Sequence, residues 1–238
     1  YLIIKNSYKI ICHFYAFTTT FLEEFFYRVS KPSLEFKKIG FLKFEIKNCN
    51  FDNIKTSRKE NINKYLTKRN LNENNIKQLV KELFDVETRN FITSQTGFYY
   101  SIDFIFAYDR KFIRYKDRNV TTLDQWYSYR WHFDKPNSNH MLKIIIPFNI
   151  ENDHGPLIAI DKNASKQIKN LRNIDIKKLR KTSTMKFTGK GNFIYFFNPN
   201  LCIHKDGIPK NNLTATQIML QLNPWKEWAI NSNLILRN

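Results

Sequence analysis

From about residue 98 onward, the chain consists of short runs rich in β-branched and aromatic residues, with turn-forming sequences between them. Asn152-Asp153, Gly189-Lys190-Gly191 and Asn198-Pro199-Asn200 are examples of these turn signals. Short strands in series, with no helix between most of them, favour an antiparallel sandwich or jelly roll. The runs predicted as strands are GFYYSIDFIFAYD (97–109), LKIIIPFNI (142–150), GPLIAI (155–160), GNFIYFF (191–197), LCIH (201–204) and TQIMLQLNPW (216–225).

Before this point the pattern is different, and helices are prominent. FLEEFFYRV (21–29) has apolar residues at helical spacing, and NIKQLVKELF (75–84) predicts an amphipathic helix. FLKFEI (41–46) alternates and predicts a strand, whereas residues 47–75 are rich in Lys, Asn and Glu and are interpreted as solvated loop and helix. The apolar side of the second helix carries Ile76, Leu79, Val80 and Leu83.

These patterns predict a mainly β protein with flanking helices. We expect one domain over residues 1–238, with a mixed, largely helical part at 1–97, a jelly-roll core at 98–226 and a C-terminal tail at 227–238. A composition of 42% hydrophobic and 16% aromatic residues is enough to bury a substantial core. One helical insert, SKQIKNLRNIDIKKLRK (165–181), is expected to interrupt the strands.

The charge balance is strongly basic, with 39 Lys and Arg against 21 Asp and Glu and a net charge of +18. This suggests an anionic partner, whether nucleic acid, a membrane surface or an acidic small molecule. The basic residues are scattered, however, and AT-rich coding by itself enriches Lys, Asn and Ile. Because no zinc-finger spacing or recognisable RNA-binding signature is present, we expect a small-molecule or carrier-linked substrate, which the charge would suit if anionic, rather than nucleic acid.

The cysteines indicate a reducing environment. Cys12, Cys49 and Cys202 are odd in number and contain no CxxC pair, which argues against a disulfide framework and a structural zinc site. A membrane span takes about 20 predominantly apolar residues, and the apolar opening stretch is broken by Lys5 and Lys9. We therefore expect a cytoplasmic protein without a membrane span.

The segment SYRWHFDKP (128–136) contains the strongest candidate for chemistry. On a strand, residues i and i+2 point to the same face, so His132 and Asp134 could reach one metal ion together. His204, in LCIHKDG after a predicted strand and a turn, is well placed to supply a third ligand. Two His and one carboxylate on one face of an octahedral ion leave three positions open, as in non-haem Fe(II) oxygenases.

An ordered set of motifs surrounds these residues: W-H-F-D (131–134), L-K-I-I-I-P-F (142–148), N-D-H-G-P-L (152–157), and G-N-F-I-Y-F-F with H-K-D-G-I-P (191–209). This set, over about 128–225, resembles the phytanoyl-CoA dioxygenase family of Fe(II)/2-oxoglutarate oxygenases. The resemblance implies a double-stranded β-helix (jelly-roll, cupin-like) core with N-terminal helical segments. It implies that His132, Asp134 and His204 hold Fe(II). It also implies oxidative decarboxylation of 2-oxoglutarate coupled to hydroxylation of a C–H bond.

The chain departs from the family at the cosubstrate. Family members usually place an Arg on the last core strand, about a dozen residues after the distal His, to pair with the far carboxylate of 2-oxoglutarate. Residues 205–224 contain no Arg, and alignment puts Thr216 or Gln217 at this position. Lys143, on the strand after the HxD motif, is the better candidate for a substitute cosubstrate-binding residue.

Three functions therefore stay open. The first is an Fe(II)- and 2-oxoglutarate-dependent dioxygenase that hydroxylates a small or carrier-linked organic substrate. The alternative is a catalytically degenerate jelly-roll protein that binds or scaffolds, which the missing Arg motivates. The third, motivated by the charge alone, is a basic nucleic-acid-binding protein.

Overall fold

The computed structural model describes residues 2–46, 59–118, 128–134, 138–168, 176–179 and 181–230. The helices are α1 (Leu2–Phe26), α2 (Leu34–Ile39), α3 (Glu73–Leu83), α4 (Val86–Thr96), α5 (Lys162–Ile168) and α6 (Ile176–Leu179). The strands are β1 (Phe41–Glu45), β2 (Lys59–Asn61), β3 (Leu66–Arg69), β4 (Tyr99–Lys111), β5 (Leu142–Phe148), β6 (Leu157–Ala159), β7 (Met185–Phe187), β8 (Phe193–Phe197), β9 (His204–Lys205) and β10 (Thr214–Trp225).

The strands form two antiparallel sheets. The larger has seven strands in the order β1-β8-β5-β10-β4-β3-β2, and the smaller has three in the order β7-β6-β9. β10 pairs with β4 along its whole length and with β5 on its other side. Each run predicted as a strand after residue 97 overlaps a strand, although LCIH shares only His204 with β9 and β7 was not predicted, and the jelly-roll prediction is confirmed.

An apolar layer lies between the two sheets. Ile145, Tyr195 and Phe197 of the larger sheet pack there with Leu157 and Ala159 of the smaller one. Because side chains alternate along a strand, the neighbouring residues of the same strands point to the opposite, outer face. A second cluster covers that outer face, and it includes Ile144, Ile146, Ile194, Phe196, Ile218 and Leu220.

Helices α3 and α4 cover the outer face of the larger sheet. α3 begins at Asn72, whose side chain accepts from the Asn75 amide, and α4 begins at Asp85, whose side chain accepts from Thr88. α4 ends at Gly97, which adopts the left-handed conformation at φ 81°. The predicted apolar side of α3 is confirmed, since Ile76, Leu79, Val80 and Leu83 are all buried.

The region 59–69 differs from its prediction. The prediction of solvated loop and helix is wrong for this region. Strands β2 and β3 form a hairpin there, and β3 pairs with β4 at the edge of the larger sheet. One of its polar residues is buried in an ion pair, since the Arg69 Nε donates to Asp109 Oδ1 at 2.7 Å. Residues 47–58 lie outside the described part of the chain, whereas the strand predicted at 41–46 is confirmed as β1.

The two other helical predictions are confirmed in part. The predicted helix at 21–29 is the end of the much longer α1. The insert at 165–181 contains α5 and the single turn α6, and residues 169–175 and 180 lie outside the described part. Among the described residues, no helix combines the length and apolar character needed to cross a bilayer.

Candidate metal centre

Three side chains that could bind a metal converge at one end of the layer between the sheets. Asp134 Oδ1 lies 3.3 Å from His204 Nε2 and 3.5 Å from His132 Nε2. One ligand atom from each of the three residues can be chosen so that all lie within 4.8 Å of one another. The structure thus brings together the three residues that the sequence predicted as ligands.

Backbone hydrogen bonds hold the two histidines side by side. The amides of His132 and His204 each donate to the carbonyl of the other at 3.0 Å. This pair is an isolated bridge, so the expectation that the HxD segment forms a regular strand is wrong, although both side chains still reach the same point. The Asp134 amide donates to the Pro199 carbonyl at 3.1 Å, which ties the segment to the turn before β9.

The ring orientation of each histidine is fixed through Nδ1. His132 Nδ1 lies 2.7 Å from the Arg130 carbonyl, and His204 Nδ1 lies 3.0 Å from the Cys202 carbonyl. A carbonyl can only accept, so Nδ1 is the donor in each of these hydrogen bonds, and Nε2 is the ring nitrogen that is left to bind a metal ion. Metal-bound histidines are oriented by this kind of hydrogen bond.

The second oxygen of Asp134 has a separate partner. Lys143, on the inner face of β5, places Nζ 2.5 Å from Asp134 Oδ2. Burial by itself would raise the pKa of Asp134, but hydrogen bonds with His132 and His204 and the charge of Lys143 hold it well below its usual range. The carboxylate is therefore ionised and its Oδ1 faces the histidines.

The two imidazoles differ in their electrostatic surroundings. Burial lowers the pKa of His204, and the Asp134 carboxylate offsets this only in part. Burial also acts to lower the pKa of His132, but its hydrogen bonds to Asp134 and to the Arg130 carbonyl, together with the Asp134 charge, outweigh burial and the net shift of the pKa is upward. Phe197 contacts His204 edge-on, with ring centroids 5.1 Å apart, and gives the site an apolar wall.

This donor set fits a divalent iron ion. Two imidazole lone pairs face a carboxylate oxygen, an arrangement that is favourable only when a cation, either a proton or a metal, lies between them. Ligands in adjacent octahedral positions, about 2.1 Å from a common ion, lie roughly 3 Å apart, close to the separations of 3.3 and 3.5 Å found here. Two His and one carboxylate suit Fe(II) and leave positions for other ligands.

A buried arginine that the sequence reasoning missed lies on the same inner face. Arg110, near the end of β4, is 0% exposed. Its guanidinium donates to the Gly207 carbonyl at 2.7 Å and to the Gln217 side-chain oxygen at 2.8 Å, and it lies 3.3 Å from Asp206 Oδ1. Asp206 follows His204 by two residues, so the guanidinium is one side chain away from the triad.

The pKa of Asp206 depends on the charges of Arg110, Lys143 and both histidines of the triad. Burial raises the pKa of Asp206, whereas the charges of Arg110, His204, His132 and Lys143 all act to lower it. The triad, Lys143 and Arg110 therefore form one charged cluster around a buried carboxyl. Arg110 follows Phe106 and Tyr108 at strand alternation, which is a sequence signal for the same face, but it lies outside residues 205–224, where the family resemblance places the arginine.

The remaining predicted cosubstrate residues lie on opposite faces of β10. Gln217 points inward, where its amide nitrogen donates to the Tyr108 hydroxyl and its oxygen accepts from Arg110. Thr216 points to the outer face, where its hydroxyl donates to Asp109 Oδ1 at 2.8 Å. Of Lys143, Thr216 and Gln217, the structure thus brings Lys143 to the triad and Gln217 to Arg110.

Two cavities of the described structure differ in their access to the charged cluster. One, of about 400 Å³, is bounded by α1, α2 and the start of β5, and its walls include Glu24, Phe36 and His140. The other, of about 350 Å³, is lined by Tyr129, Lys205, Asp206 and others. The cavity lined by Tyr129 and Asp206 is the one that gives access to the charged cluster. The walls of the other cavity include no residue of that cluster.

Comparisons with known proteins identify the fold but no family. No protein-family model matches the sequence, and no curated protein matches it either. Among solved structures, SnoN, a non-haem alpha-ketoglutarate-dependent epimerase from nogalamycin biosynthesis, has a TM-score of 0.55 at 8% identity, covering 79% of each chain.

Two further structures give the same result. HygX from Streptomyces hygroscopicus, solved with nickel, 2-oxoglutarate and hygromycin B, has a TM-score of 0.52 at 11% identity, covering 86% of this chain and 92% of HygX. EvdMO1 has a TM-score of 0.51 at 13% identity over 80% of this chain, which spans 49% of the length of EvdMO1. The protein therefore has the jelly-roll fold found in non-haem 2-oxoglutarate-dependent enzymes.

Proposed function

We propose that this protein is a non-haem Fe(II)- and 2-oxoglutarate-dependent oxygenase that oxidises a C–H bond of a small or carrier-linked organic substrate. The convergence of two histidine Nε2 atoms on Asp134 Oδ1 carries the proposal. Support also comes from HygX, which is solved with 2-oxoglutarate and a small-molecule ligand. The narrower resemblance to the phytanoyl-CoA dioxygenase family stays a prediction, as does hydroxylation itself, since SnoN, with the same fold, is an epimerase.

In this proposal, His132, Asp134 and His204 hold the iron, and the surrounding groups fix each ligand. The Arg130 and Cys202 carbonyls keep the two Nδ1–H groups engaged, so that Nε2 stays available. Lys143 holds Asp134 Oδ2 and leaves Oδ1 for the metal. When bound, iron with 2-oxoglutarate and O₂ supplies the oxidant for the substrate C–H bond, while 2-oxoglutarate loses CO₂ to become succinate.

We assign the far carboxylate of 2-oxoglutarate to Arg110. Arg110, on β4, pairs with Ala215 on the neighbouring strand β10. Ala215 is 0% exposed, and its small side chain leaves room for the Arg110 guanidinium on the inner face of the sheet. Arg110 thus provides from β4 the charge that the last strand lacks. Gln217 orients the guanidinium through its side-chain oxygen at 2.8 Å, and a planar fork of donors suits a carboxylate. Lys143 stays a candidate for a second contact to the cosubstrate.

The test is an anaerobic Fe(II) titration followed by 2-oxoglutarate, monitored by the weak visible charge-transfer band of the chelated complex. We expect the wild type to bind iron and develop the band, and His132→Ala to do neither. Iron binding without the band would favour the alternative of a degenerate, non-catalytic jelly-roll protein. Absence of iron binding in the wild type would overturn the proposal.

The role of Arg110 is tested separately by Arg110→Lys. Lysine keeps the charge but loses the planar fork, so we expect 2-oxoglutarate affinity to fall about tenfold or more while iron affinity is retained. The matched control is Arg69→Lys, because Arg69 is also a buried arginine but pairs with Asp109 on the outer face of the sheet. Equal 2-oxoglutarate affinity in the two variants would contradict the assignment and leave the iron site unaffected.

A further inference from the structure

Helix α1 carries an extended apolar stripe on its outward side. Phe14, Phe17, Phe21 and Phe25 follow one another at spacings of three and four residues, so they lie on one face of the helix. They are 72%, 71%, 61% and 74% exposed. Other large apolar side chains of α1 that are at least 46% exposed widen this stripe: Ile11, Tyr15, Leu22 and Phe26.

The polar side of α1 is the side that docks on the protein. Glu23 is 6% exposed and accepts from the Ser138 hydroxyl, while the Thr20 hydroxyl accepts from the Asn139 amide at 3.0 Å. Glu24 pairs with Arg28 and with His140. These polar contacts fix the rotation of the helix about its axis, and that rotation turns the phenylalanine stripe outward.

The stripe is larger than the ordinary apolar surface of a soluble domain. A phenylalanine buries roughly 150–250 Å² in a core, so four phenylalanines that are each more than 60% exposed present on the order of 400 Å² or more. The largest apolar patch on a typical monomer is about 300–600 Å², and the further residues of the stripe extend this one beyond that range. Such a surface indicates a binding partner.

The charge of the molecule selects among the possible partners. The net charge of +18 opposes association with a second copy of the chain and favours an anionic surface. The two acidic residues of α1, Glu23 and Glu24, are engaged with the protein body and not on the stripe. Exposed Lys31, Lys37 and Lys38 follow within twelve residues of the end of α1, and the exposed Glu35 offsets only one of these three charges.

We propose that α1 is an interfacial helix that inserts its phenylalanine stripe into the surface of an anionic lipid bilayer. Aromatic side chains combined with basic neighbours are the features by which an amphipathic helix lies in the headgroup region, bound by apolar burial and by attraction to anionic lipid. The helix lies along the membrane surface in this arrangement and does not span it. The proposal is independent of the iron site.

The test is co-sedimentation of the full chain with vesicles made of phosphatidylcholine alone or of phosphatidylcholine and phosphatidylserine in equal parts. We expect binding to the mixed vesicles, weaker binding to phosphatidylcholine, and partial loss of binding as salt rises. The triple variant Phe17→Ser, Phe21→Ser, Phe25→Ser should bind the mixed vesicles about tenfold or more weakly. The control variant, Val86→Ser with Tyr115→Ser, changes residues that are 63% and 83% exposed elsewhere and should bind like the wild type.

A second measurement keeps the proposal falsifiable if the triple variant folds poorly. Phe21→Trp should retain the fold and, when mixed vesicles are added, show a larger blue shift of emission than the wild type with its four native tryptophans, because the added indole enters a less polar environment. Absence of vesicle binding by the wild type, or equal binding by the triple and control variants, would overturn the proposal. A dimer in sedimentation that the triple variant alone abolishes would assign the stripe to a second copy instead.

Discussion

At the scale of single residues, Asp134 is central to the candidate site. One of its oxygens faces both histidines at 3.3 and 3.5 Å, and the other contacts Lys143 at 2.5 Å. A carboxylate that pairs with a half-buried lysine is already fixed in position before any metal binds. The site is therefore preorganised by side chains that are not themselves ligands.

Asp134→Asn is expected to abolish iron binding and also to destabilise the metal-free protein by about 3 kcal/mol, because Lys143 loses its charged partner in a largely buried position. Urea unfolding of the metal-free protein measures the change. The double variant Asp134→Asn, Lys143→Met should recover much of the lost stability without recovering iron binding. Additive effects of the two substitutions on stability would show that the ion pair has no such role.

At the scale of elements, the site depends on how closely the loop after β9 approaches the turn before β6. Gly155 adopts φ +65°, and a Cβ at this position would lie 2.5 Å from the Ile208 carbonyl carbon and 2.6 Å from the Pro209 nitrogen. The Gly207 amide donates to the Pro156 carbonyl at 3.0 Å across the same contact. This loop carries Asp206 and the Gly207 carbonyl, both of which contact Arg110.

Gly155→Ala is therefore expected to displace the loop, to lower the free energy of unfolding by about 1–3 kcal/mol, and to weaken 2-oxoglutarate binding more than iron binding. Gly189→Ala is the matched control, because a Cβ there would meet only Pro147 and Phe193 side chains, at 3.2 Å or more. Chemical denaturation and the charge-transfer titration provide the two readouts. A variant with wild-type stability and cosubstrate affinity would show that the contact is not needed.

At the scale of the whole molecule, the long helix α1 is attached through buried polar groups, and this links its attachment to pH. Burial raises the pKa of Glu23 from 4.5 to about 7. The folded chain thus binds this proton more tightly than the unfolded chain. The contribution of Glu23 to stability is fully present below about pH 4.5 and is lost as pH rises through about 7.

We expect the free energy of unfolding to fall by about 2 kcal/mol more in the wild type than in Glu23→Gln between about pH 5 and about pH 8. Glutamine cannot ionise, so it removes this contribution and leaves the other titrating groups in place. Unfolding at the two pH values in both proteins gives the comparison. If the free energy of unfolding changes with pH equally in the wild type and Glu23→Gln, the pKa of Glu23 is not raised by folding.

The sequence by itself determined the local features that depend on near neighbours. Alternation and turn residues identified the described strands after residue 97 other than β7, and helical spacing identified the apolar side of α3. The order of the sequence motifs predicted His132, Asp134 and His204 as metal ligands, and the structure places these three residues together. Such predictions succeed because hydrophobic periodicity, turn residues and ligand types can each be read from a short stretch of chain.

Only the tertiary structure decided which distant residues share a face. It set Arg110 opposite Ala215 across two strands that are far apart in the chain, a pairing that no local pattern contains. It placed the polar strand β3 in the sheet, where Arg69 pairs with Asp109, while β2 stays exposed at the sheet edge. It also turned the polar side of α1 inward and its phenylalanines outward, because the partners of that side, such as the buried Ser138 and the half-buried His140, come from another part of the chain.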